Sequence, residues 1–94
     1  MIPTPTPPPA PIPPVHILKH TVEEDGLSCR IRCGDIIGDI LITVRGVYIV
    51  QHIRDSDKVG NFRFTGPNAM QNAIRNCFEP KMKAILVAAD RLNS

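Results

Sequence analysis

Three cysteines and three histidines are the residues of this 94-residue chain with most capacity to bind a metal or activate a nucleophile. His16-x3-His20 and Cys29-x3-Cys33 offer zinc-ligand types at common spacings. The segments that carry them, Val15–Val22 (VHILKHTV) and Leu27–Cys33 (LSCRIRC), read as strands. On a strand, residues four apart lie about 13 Å apart, too far to share one ion. The C-x2-C knuckle of structural zinc sites is also absent. Alternation puts Cys29, Ile31 and Cys33 on one face and Arg30 and Arg32 on the other, so the thiols fit a core without metal. Cys29 or Cys33 could pair with His52 as thiol and imidazole, but the sequence implies no third group to orient the ring. Asp55, Asp57 and Gly60 match positions in a calcium loop, yet Val59 and Gly66 occupy places that must supply oxygen. Phosphate loops, nucleophile elbows and paired-histidine metalloprotease motifs are missing. The expectation is a non-enzymatic protein with no cofactor, no metal ligands and no catalytic residue.

Binding chemistry is better represented. Residues 1–14 hold eight of the ten prolines. Proline fixes φ and removes a donor, so this arm is expected to be polyproline II. Pro5, Pro8, Pro11 and Pro14 recur every third residue and line one edge of that helix, the geometry read by aromatic-lined grooves. The net charge of +2 is unevenly spread: residues 15–57 carry five basic and seven acidic side chains, residues 58–94 six basic and two acidic. A nucleic-acid reading would use this second part, with Arg63, Arg75, Lys81 and Lys83 on phosphates and Asn72 and Asn76 near bases.

These residues need elements to position them. Ile36–Ile53 (IIGDILITVRGVYIVQHI) is rich in the β-branched residues that suit a pleated surface. It reads as a hairpin turning at Arg45-Gly46, with Gly46 supplying φ > 0 either in a two-residue turn, where Val44 faces Val47, Thr43 faces Tyr48 and Leu41 faces Val50, or in a G1 bulge, since arginine does not suit the first turn position. One face, Ile40, Ile42, Val44, Val47, Ile49 and Ile53, is the expected core. The other, Leu41, Thr43, Tyr48, Val50 and His52, is also fairly apolar, and Leu41, Tyr48 and Val50 are candidate protein contacts. The Gly34-Asp35 and Gly38-Asp39 tandem suggests a bend followed by a strand start. Residues 54–61 read as a charged loop, and Asn61–Thr65 as a short strand with Phe62 and Phe64 on one face.

Pro67 at the first helical position opens a helix whose apolar stripe is Ala69, Met70, Ala73, Ile74, Cys77 and Phe78, ending before Pro80. Lys81–Leu92 (KMKAILVAADRL) fits both a helix and a buried strand. Lysines at its start and Asp90 near its end oppose a helix macrodipole, so a strand is expected.

Cys33-Gly34-Asp35-x-x-Gly38, then Gly46 and Ile53, then Asn72-Ala73-Ile74-Arg75 resembles the ordering in SAND DNA-binding domains over about 45 residues, with Met70–Ala73 standing where that family has KDWK. The resemblance implies DNA binding.

The expected architecture is α+β: an arm at 1–14, then one small domain at 15–94. Its antiparallel sheet of four to six strands carries one helix on one face. The expected function is a protein-interaction or assembly module that uses the arm and the two-sided hairpin, self-association being the simplest form, with nucleic-acid binding the alternative. The odd cysteine number and the lack of a basic-then-apolar N-terminal leader point to an intracellular location. No run is long enough to cross a bilayer.

Overall fold

A two-residue break recurs every ten residues through the first half of the chain: Glu24-Asp25, Gly34-Asp35 and Val44-Arg45. Each is a tight turn between antiparallel strands in a computed structural model that describes residues 11–54 and 57–94. The strands are β1 (Val15–Glu23), β2 (Gly26–Cys33), β3 (Ile36–Thr43), β4 (Gly46–Ile53) and β5 (Asp57–Thr65). They form one five-stranded antiparallel sheet in chain order. Two helices follow, α1 (Ala69–Arg75) and α2 (Pro80–Asn93). The domain is thus α+β with two helices rather than one. Of the arm, residues 1–10 lie outside the described residues, Pro5 and Pro8 among them.

Period-two alternation sorts the strands. Leu27, Cys29, Ile31 and Cys33 of β2, Ile36, Ile40 and Ile42 of β3, and Val47 and Ile49 of β4 are buried on one face. Met82, Ile85, Leu86 and Ala89 of α2 and Ala69, Met70 and Ala73 of α1 complete that core.

The β3–β4 turn differs from expectation by one residue. It is Val44-Arg45, so Leu41 faces Tyr48 and Ile42 faces Val47. Moving the turn by one residue slides the two strands past each other by two, an even number, so every other side chain keeps its face. Val44 alone leaves the core, to 84% exposure. The reason is Thr43: its Oγ1 accepts from the Arg45 N–H at 3.1 Å and donates to the Gly46 carbonyl at 3.3 Å, a local alternative to ladder pairing. Gly46 does not supply a positive φ, which among the described glycines falls to Gly34 and Gly66. Instead a Cβ at Gly46 would collide with the Phe64 carbonyl oxygen of β5. Gly38 is likewise no strand start. It lies inside β3, facing Met82 and Ile85. The expected loop before Asn61 is shorter, because β5 already begins at Asp57, with a bulge opposite Gln51 and His52.

The last element corrects the expected strand: Pro80–Asn93 is a helix. Glu79 caps it, its side chain accepting from the Lys81 N–H at 3.0 Å, and Pro80 sits where a missing N–H costs nothing. Unfavourable charges at the ends are worth about 0.3–1 kcal/mol each. Three large side chains buried at helical spacing gain about 1.5–3 kcal/mol each, so the stripe decides. The first helix is shorter than expected. It starts at Ala69 and ends at Arg75, where the Asn76 side chain donates to the Asn72 carbonyl at 2.8 Å. Cys77 and Phe78 therefore leave the expected stripe and form the connection to α2. Phe78 is 92% exposed.

Candidate functional site

Both helices lie on one face of the sheet, and the other face has no layer over it among the described residues. Strand register arranges that face in rows. Lys19, Arg30, Asp39, Val50 and Asn61 stand side by side across the five strands. Beside them run Thr21, Ser28, Leu41, Tyr48 and Arg63 in one direction and His16, Arg32, Ile37, His52 and Lys58 in the other. Glu23, Gly26, Thr43, Gly46 and Thr65 close one end.

Five cations therefore share a face with two carboxylates, and the cations flank an apolar centre. Leu41 is 38% exposed, and Tyr48 and Val50 beside it are half-buried. Ile37 is fully buried on this face between its cross-strand neighbours Arg32 and His52, outside the main core cluster. The centre forms a shallow depression of about 400 Å³ whose lining includes Lys19, Arg30, Asp39, Leu41, Tyr48 and Val50. The Arg63 guanidinium stacks over the Tyr48 ring, 5.3 Å from its centroid. Asp39 is engaged from two sides: His52 Nε2 donates to its Oδ2 at 2.8 Å, and Arg30 Nε lies 3.8 Å from Oδ1. The central carboxylate is thus matched within the face. Lys19, Arg32 and Lys58 have no ion pair among the described residues.

The other sequence-predicted residues scatter. Asn72, Arg75 and Asn76 sit on α1 and its end, and Lys81 and Lys83 on α2, all on the helical side of the sheet, while Arg63 is on the open side. Lys81 is held by Asp35, Nζ to Oδ1 at 2.9 Å, a bond that lowers the Asp35 pKa and raises that of Lys81. The six therefore form no single surface. Pro11 and Pro14 are exposed, and the Pro13 carbonyl accepts from Cys33 Sγ at 3.3 Å, tying the arm's end to the β2–β3 turn.

Cys29 and Cys33 are buried under α2, whereas His16 is exposed on the opposite face of the sheet and His20 is exposed on edge strand β1. Among the described residues no group of three or more His, Cys, Asp or Glu side chains converges. His52 is bonded to Asp39 on the open face, across the sheet from both thiols. Burial, with a smaller push from the Asp39 charge, raises the Cys29 thiol to about 11.

The parity of Arg30 and Arg32, opposite to Cys29 and Cys33, was the sequence signal for this face. Grouping charges by stretch of chain rather than by face hides it.

Fold and face together define a small α+β module, covered by helices on one side and open, basic and centrally apolar on the other. No family model matches the chain, and no curated protein or solved structure does. The SAND-like ordering of residues 33–75 thus stands on its sequence motifs alone. No helix among the described residues is long and apolar enough to cross a membrane.

Proposed function

We propose that this chain is a non-enzymatic module that binds single-stranded nucleic acid on its uncovered sheet face. The observation that carries the reading is the row arrangement: Lys19, Arg30 and Arg32 on one side and Lys58 and Arg63 on the other flank Leu41, Tyr48 and Val50, and the central acid, Asp39, is already matched by Arg30 and His52. A single strand presents phosphates and unstacked bases together. Cations track the first, while aromatic rings or guanidinium planes take the second. The Arg63–Tyr48 stack offers both. A shallow sheet face cannot enter a duplex groove as a helix does, which favours the single strand. The strip Leu41, Tyr48 and Val50 could also meet a protein, as could the arm. The cations on both sides of the strip favour a polyanion.

Fluorescence anisotropy of a labelled single-stranded oligonucleotide tests this. Four to five phosphate contacts give a log–log salt slope of about −3, or roughly 60-fold weaker binding between about 50 and about 200 mM salt. Replacing Arg32 and Arg63 by alanine lowers that loss to roughly 8-fold. An absence of binding at low salt, or a slope untouched by the double substitution, overturns the reading.

A further inference from the structure

On the helical side, α1, the α1–α2 connection and β5 leave an apolar cavity of about 180 Å³, walled by Phe62, Phe64, Ala73, Cys77, Met82 and Leu86. Phe78 stands at its rim with its ring almost wholly in solvent. An apolar cavity of about 150 Å³ accepts benzene. This one has room for a phenyl ring, and the connection beside it displays one.

We propose that the occupant is a second copy of this chain, in a two-fold dimer where each Phe78 enters the other copy's cavity. Ring and cavity lie on the same surface patch, as an isologous interface requires. The rim carries both signs of charge. Glu79 lines the cavity and its side chain accepts from the Lys81 N–H, while the exposed Lys83 lies close enough to the wall residue Cys77 for its charge to act on that thiol and has no ion pair among the described residues. A two-fold axis at the mouth sets Glu79 of one copy against Lys83 of the other.

The area involved predicts strength. Each ring buries about 150–250 Å², and the cavity walls a similar amount, so the dimer totals roughly 600–1,000 Å². That lies below the standard interface class, in the range of weak, reversible association. The inference is independent of the nucleic-acid reading, since the two surfaces lie on opposite sides of the sheet.

The test is sedimentation of the full chain over a wide concentration range. The wild type should pass from monomer to dimer. Phe78→Ala should stay monomeric while keeping its unfolding midpoint. Gln51→Phe, which fills the cavity from β4, should also stay monomeric. A mixture of the two variants restores one ring and one cavity, and native mass spectrometry should show the mixed dimer. A wild type that is monomeric throughout, a Phe78→Ala chain that still dimerises, or a mixture without mixed dimer overturns the proposal. The first includes a ring that folds into its own cavity.

Discussion

Gly38→Ala tests the layer arrangement most directly. Gly38 lies in the core-facing row of β3, and a Cβ there would sit 2.8 Å from Met82 Cε and 2.9 Å from Ile85 Cγ2. In an open strand, alanine is worth about 0.5–1 kcal/mol over glycine. Against α2, overpacking costs about 1–3 kcal/mol. The Met82 tip can swing aside, but the branched Ile85 side chain is stiff at χ1. The net expectation is a loss of about 0.5–2 kcal/mol, read as a lower urea midpoint at unchanged slope by far-ultraviolet circular dichroism. The companion variant Met82→Ala, in a side chain 2% exposed, should cost about 2–5 kcal/mol alone. It also empties the space that the methyl group introduced by Gly38→Ala would fill, so the double variant should beat additivity by about 1 kcal/mol. A Gly38→Ala protein as stable as the wild type, with additive behaviour in the double variant, would mean that α2 does not rest on β3.

Three further outcomes follow from the same geometry. The Asp35 carboxyl, bonded to Lys81, titrates below the usual carboxylate range. Its contribution to stability is present above that range and fades as pH falls through the lowered value; Lys81→Met should raise the midpoint, followed by NMR, toward the ordinary one, with the backbone hydrogen bond at Asp35 and the Arg54 charge still holding it down. Cys77, on the partly exposed connection, should react with a thiol reagent before Cys29, whose burial and high pKa hold it as a thiol until the sheet opens; equal rates in the native state would contradict the placement of Cys29. Tyr48→Ala should weaken oligonucleotide binding by about 1–3 kcal/mol per stacked base while leaving the salt slope nearly unchanged; a changed slope with unchanged affinity would assign Tyr48 no stacking role.

The sheet was legible wherever alternation was strict. LSCRIRC declares its buried face by parity, and the polar pairs Glu24-Asp25 and Gly34-Asp35 mark their turns. Arg45-Gly46 misled because glycine in a hairpin suggests φ > 0, whereas Gly46 is small to let the β5 backbone approach. The run KAILVAA is apolar at both periods. What selected the helix was the Glu79-Pro80 start just upstream, together with the fit of Met82, Ile85 and Leu86 over the sheet. Phe78 kept the helical phase in sequence but lost the helix in fact, because Asn76 closed α1 with its own side chain. The open face was half legible: parity places each residue on it, but only register aligns Arg30 with Asp39 and Tyr48 with Arg63.

The strictly sequential strand order also sets a folding order. No ladder reaches beyond the next strand, so each hairpin can close with little loop entropy, and the meander can zip from any turn outward. Docking α2 is the long-range event, joining residues such as Asp35 and Lys81 that are 46 positions apart. A transition state built on the β2–β3–β4 turns, with α2 still loose, is the natural outcome. Substitutions in α2 should then speed unfolding far more than they slow folding, and the helix rather than the sheet governs how long the native state lasts once formed.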